Sequence, residues 1–153
     1  MTALLCLFTE EVNSGQSFMN WPLHITLVPW FELKDDKLSS FLDELARVGK
    51  VIGPLKLDTR GVAYFSHDRV KVTLINNDDS LFRLHNKLLK LLNRFHVNLE
   101  ASKYTANHYR PHITHNKHGS MIPKSISVNK VHMVVKTEGN YRKIIKEINL
   151  GGH

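Results

Sequence analysis

An α+β fold is what this chain predicts: two pseudo-symmetric lobes whose antiparallel sheets meet at a central cleft, with the helices outside. Three observations carry that expectation. Two segments, opening near Asp35 and Asp79, repeat apolar residues at helical spacing, while the other apolar runs are short and strand-like. The tripeptide His-Ile-Thr occurs twice, at His24–Thr26 and His112–Thr114, more than half the chain apart. Each half of the sequence therefore offers one helix, a few strands and one copy of the tripeptide, as a duplicated lobe would. No Pro- or Gly-rich linker divides the 153 residues, so 1–153 is expected to be a single domain large enough for a real core.

The elements follow in order. Residues 2–8 (TALLCLF) read as a buried strand, and Glu10 to Trp21 as a loop. Leu23 to Val28 reads as a strand ended by Pro29, which lacks a ladder donor. Asp35 or Asp36 can cap a helix carrying Leu38, Phe41, Leu42, Leu45 and Val48 on one face, with Gly49 as its stop. Pro54 to Phe65 suggests two strands, and Val70 to Ile75 a third. Asp79 caps a second helix, whose buried stripe is Leu81, Leu84, Leu88, Leu91 and Phe95 while Lys87, Lys90 and Arg94 face water. Asn98 to Tyr109 is a polar connector, and Arg110 to Thr114 is the strand of the second tripeptide. Ile126 to Val135 alternates with a phase change near Asn129–Lys130, where a bulge is expected. Tyr141 to Leu150 closes the chain with Ile144, Ile148 and Leu150 inward, before a loose Gly151–His153 end.

Composition narrows the class. Hydrophobic content of 42% and charged content of 23% suit a soluble globular protein rather than a disordered one. Lone Cys6, in an apolar run, is expected to be a buried bystander in a reducing compartment. MTALLCLFTEE lacks a basic n-region, and its apolar stretch is too short for a signal peptide or a membrane span. A cytoplasmic protein with no membrane partner is the expectation, and a monomer. The net charge of +7 favours anionic partners such as RNA or nucleotides. Solvated surface lysine is the plain alternative, and the lysines are spread rather than blocked.

Side chains alternate faces along a strand. His24 and Thr26 then share one face while Ile25 points into the core, and the same holds for His112, Thr114 and Ile113. Two such strands facing each other would present two imidazoles and two hydroxyls, parts suited to moving protons on a phosphodiester while holding its oxygens.

In their contexts, PLHITLVPW and YRPHIT, these strands resemble the two motifs of the 2H phosphoesterase superfamily, which includes 2′-5′ RNA ligases and RNA 2′,3′-cyclic phosphodiesterases. The segment GVAYFSHDRVKVTLI is similar to that family's middle hairpin. The resemblance implies a bilobal fold, RNA or small-nucleotide substrates, and no cofactor or metal. It also implies His24 as the acid for the leaving oxygen and His112 as the base that activates water. Histidine suits both roles because its pKa of about 6.5 lets both protonation states coexist near neutrality. Thr26 and Thr114 would donate to the non-bridging oxygens. Arg110, two before His112, could reach the phosphate, and Tyr109, Phe65 and Trp30 are candidates for stacking on a base. The chain departs from the family in a short first lobe and in His115, placed where an apolar residue is usual. By alternation that ring lies beside Ile113 and needs a polar partner.

Other readings compete. His108, His112, His115 and His118 have the spacing of a helical metal site, but Pro111, Ile113 and Thr114 favour a strand, on which His112 and His115 diverge. The same chemistry on 2′-5′ or cyclic oligonucleotides, a non-catalytic RNA-binding module, and a zinc-binding or structural protein remain alternatives. His67, His85, His96, His132 and His153 show no grouping and are expected mostly at the surface.

Overall fold

The computed structural model describes residues 1–67, 69–97, 99, 108–115 and 121–151. Most of the expected connector Asn98–Tyr109, His118 and the last two residues lie outside that set. Nine described strands form one continuous antiparallel sheet: β1 (Thr2–Phe8), β2 (Ser17–Phe18), β3 (His24–Glu32), β4 (Leu55–Phe65), β5 (Val70–Ile75), β6 (His112–Thr114), β7 (Ser125–Val128), β8 (Lys130–Lys136) and β9 (Arg142–Asn149). Their spatial order is β2-β9-β8-β1-β3-β6-β5-β4-β7. The fold is α+β, a curled sheet around a cleft, as expected. Its two arms are not the two halves of the sequence, because β8 and β9 return from the C-terminal end to lie beside β1.

Helices α1 (Leu38–Val51) and α2 (Asp79–Arg94) cover one face of the sheet. There Leu5, Leu7, Ile25, Leu27 and Ile113 meet Phe41, Leu45, Leu81, Leu84 and Leu88 in the main core. A smaller apolar cluster of Leu4, Cys6, Phe8, Phe18, Val134 and Ile144 lies on the opposite face. Cys6 is fully buried, and burial pushes its thiol pKa up, so it is the expected bystander.

Several boundaries differ from expectation for local physical reasons. Pro29 does not end β3, because the β1–β3 register shifts there: Leu5 faces Val28 and Ala3 faces Phe31, leaving exposed Pro29 where no ladder donor is needed. Gly49 does not stop α1. It lets the helix approach β9 so closely that a Cβ would lie 2.6 Å from the Asn149 carbonyl oxygen. Segment 55–65 is one bent strand rather than two; its start pairs with β7 and its end with β5, around a register shift near Gly61 (φ 114°). The phase change near Asn129 separates β7 from β8, which pair at distant places in the sheet. Asp78 rather than Asp79 caps α2, accepting from the Leu81 amide at 2.9 Å.

Candidate active site

Strands β3 and β6 are antiparallel neighbours with Ile25 opposite Ile113. Continuing that register sets His24 opposite Thr114 and Thr26 opposite His112. Both isoleucines are fully buried in the main core, so the four polar side chains share the other face, half-buried in the cleft. A one-residue slip would drive both imidazoles into the core and expose both isoleucines, so the apolar pattern fixes this pairing.

The two rings are held by the same device. His24 Nδ1 donates to the Pro22 carbonyl at 2.8 Å, and His112 Nδ1 donates to the Arg110 carbonyl at 2.7 Å. Each bond selects the tautomer protonated on Nδ1 and keeps Nε2 as the nitrogen that exchanges a proton. The walls differ. Trp21 lies 4.6 Å from the His24 ring at 34°, and Phe8 meets that ring edge-on at 6.0 Å. Phe65 meets His112 edge-on at 4.8 Å, and the Arg110 guanidinium sits over Phe65, also at 4.8 Å. Burial pushes the His24 pKa below its usual value, against the pull of the Pro22 carbonyl, and positive charge on His112 pushes it further down. Burial likewise lowers His112, opposed by the Arg110 carbonyl and reinforced by the Arg110 cation. Both shifts favour the neutral imidazole.

Of the aromatic candidates, Phe65 lines the cleft beside His112 and Arg110. Tyr109 does not. It is 8% exposed, stacked on His85 with centroids 3.9 Å apart, and its hydroxyl donates to the Thr26 carbonyl at 2.7 Å. It faces the helices because its alternation phase and aromatic bulk suit the core, so it cannot stack on a base. His85 is fully buried, not a surface residue, and its Nδ1 donates to the adjacent Leu27 carbonyl at 2.7 Å. The pair captures consecutive carbonyls where the β1–β3 register shifts, and Tyr109 leads directly into Arg110–His112. One side chain thus ties the backbone of the first motif to the approach of the second. Trp30 is on the cleft side but its ring carries two cations, Lys136 and Arg142.

His115 sits on the Ile113 side, and its expected partner is Thr73, whose Oγ1 lies 2.6 Å from Nε2. His108 is exposed, and among the described residues no three His, Cys, Asp or Glu side chains converge as a metal set. His132, 4% exposed, is another ungrouped histidine that is buried rather than at the surface; its Nε2 lies 3.3 Å from Glu147. It lines a separate pocket of about 360 Å³ with Phe8, Glu10, Lys130 and Glu147, and none of the four motif side chains borders it. Trp21 and Phe8 also flank His24, although strand periodicity does not single them out as site residues. The dipeptide Trp21-Pro22 just before the motif was the available signal.

The family model of the 2′-5′ RNA ligase superfamily matches residues 8–136, a span that includes both motifs. The chain belongs to this superfamily. Solved structures share the fold. TT0787 of Thermus thermophilus is 18% identical with a TM-score of 0.68, over 99% of each chain. Escherichia coli LigT complexed with 3′-AMP is 15% identical with a TM-score of 0.66, over 97% of this chain and 96% of that one. Kluyveromyces marxianus Usb1 is 7% identical with a TM-score of 0.54, over 97% and 98%. No curated protein matches the chain by sequence. Among the described residues no helix is long and apolar enough to cross a membrane.

Proposed function

We propose that this superfamily member is a metal-independent phosphodiesterase that opens 2′,3′-cyclic phosphates at RNA ends or on small nucleotides. The observation that carries the reading is the cross-pairing of the motifs, each imidazole beside the other motif's hydroxyl on one cleft face. Water attacks phosphorus in line with the departing ribose oxygen. Neutral His112 takes the water proton through Nε2, and protonated His24 gives a proton to the 2′ or 3′ oxygen as its bond to phosphorus breaks. Thr26 and Thr114 donate to the non-bridging oxygens as negative charge builds there, and Arg110 adds a cation beside them. A bound phosphate raises both imidazole pKa values and so favours the protonated His24 that serves as the acid. Phe65, capped by Arg110, is the platform for a base. With a 5′-hydroxyl attacking in place of water, the same parts form a 2′-5′ linkage: His112 takes the hydroxyl proton and His24 protonates the departing 3′ oxygen. LigT has been crystallised with 3′-AMP, phosphate and ATP, ligands that fit a nucleotide site.

The test is hydrolysis of nucleoside 2′,3′-cyclic phosphates in EDTA, with the 2′- and 3′-monophosphate products resolved. Turnover that survives chelation and disappears in His24→Ala and His112→Ala supports the proposal. RNA binding without product would point to a binding module, and loss on chelation to a metal enzyme.

A further inference from the structure

Lys136 and Arg142 stand directly opposite each other on β8 and β9, a placement of like charges that costs an antiparallel pair stability. Both reach over one indole. Lys136 Nζ lies 4.9 Å and the Arg142 guanidinium 5.5 Å from the Trp30 ring centroid. Among the described residues no carboxylate lies within ion-pair distance of either. Arg142 donates to the Gly139 and Tyr141 carbonyls through one terminal nitrogen, while its Nε is buried without an acceptor. Two cations gathered on one ring with no counter-charge make a ready anion site.

Its position gives it a use. Trp21 and Trp30 pack on the same cleft-side apolar cluster, which also holds Val134 and Ile144 of β8 and β9. Trp21 touches Trp30 at 6.0 Å and His24 at 4.6 Å. One indole therefore separates the two cations' ring from the imidazole at the reacting centre.

We propose that Trp30, Lys136 and Arg142 form a second anion site, which takes a substrate phosphate other than the reacting one. Trp30 then serves by holding two cations rather than by stacking on a base. This rests on the phosphodiesterase reading and deepens it: the preferred substrate carries at least two phosphates along one strand, as an oligoribonucleotide does.

The experiment compares three substrates: a nucleoside 2′,3′-cyclic phosphate, the same nucleoside with an added 5′-phosphate, and a tetranucleotide ending in a 2′,3′-cyclic phosphate. The expected result is a higher kcat/KM for the tetranucleotide, a preference that Lys136→Glu cuts about tenfold, mainly through KM. The salt dependence of that preference should flatten by about 0.7 in log–log slope for one lost single-strand contact. If the 5′-phosphate alone supplies the preference, the anion site stands and its ligand is a terminal phosphate. Equal kcat/KM on all three substrates, or a preference untouched by Lys136→Glu, overturns the site. If the wild type turns over none of them, the hydrolase reading fails by itself. Binding of a tetranucleotide 3′-phosphate then decides the site: about tenfold weaker binding to Lys136→Glu supports it, and equal binding overturns it.

Discussion

The two His-Ile-Thr strands share a tripeptide and a ring-anchoring hydrogen bond but little else. The first opens a nine-residue strand in the middle of the sheet, and its histidine is walled by Trp21 and Phe8. The second is the whole of a three-residue strand, and its histidine stands beside a cation held on Phe65. Both imidazoles are pushed towards neutrality, one by burial and its partner's charge, the other by burial and Arg110. Pseudo-symmetric motifs in unlike surroundings can divide the labour of an acid and a base. Neither tripeptide alone contains that information.

The sharpest way to break the comparison is to remove each ring. His24→Ala and His112→Ala should each cost about 10²–10⁴-fold in kcat on a cyclic phosphate substrate. A histidine whose loss leaves kcat unchanged would remove the acid–base scheme. Thr26→Val and Thr114→Val should each lower kcat by about 10²-fold with smaller effects on KM, as donors that act on developing charge do. A loss confined to KM would make them ground-state contacts only. Tyr109→Phe leaves the ring stack but strips the donor from the Thr26 carbonyl, at a cost of about 1–3 kcal/mol in unfolding free energy. Denaturant titration checks the stability, and a kcat loss beyond the unfolded fraction would show that the motifs lose their mutual placement.

The smallest effect is on pH dependence. His24, His85, His112 and His132 all have pKa values lowered chiefly by burial. The unfolded chain protonates them near the usual value of about 6.5, whereas the folded chain resists. In that window the unfolded state binds more protons, so stability rises with pH and is lost as pH falls through the lowered folded values. Tm should hold between pH 8 and 7 and decline below about 6.5. A Tm that rises on acidification would contradict the burial of these rings.

Much of this fold was legible because its signals are periodic. The stripe Leu81, Leu84, Leu88, Leu91 and the alternation in β5 and β9 each show in a short window. The pairing of β3 with β6 was legible only as an inference from two matching tripeptides, since nothing local joins residues that far apart. What stayed hidden depends on a neighbour distant in sequence. Gly49 looked like a helix stop because its contact, the Asn149 carbonyl, is contributed by the last strand. Tyr109 looked like a stacking platform because the carbonyl it binds lies on β3. His85 and His132 looked like surface residues because their partners, the Leu27 carbonyl and Glu147, come from other strands.

Among the described residues, the three of β6 alone bridge β3 and β5, and so they are the stitch that makes two arms one sheet. A chain that has not docked this strand has no joined sheet, and its two imidazoles belong to separate pieces. Under the proposed mechanism, joining the sheet and bringing the two imidazoles together are one event. Under that mechanism, recovery of turnover during refolding would track the closing of this seam.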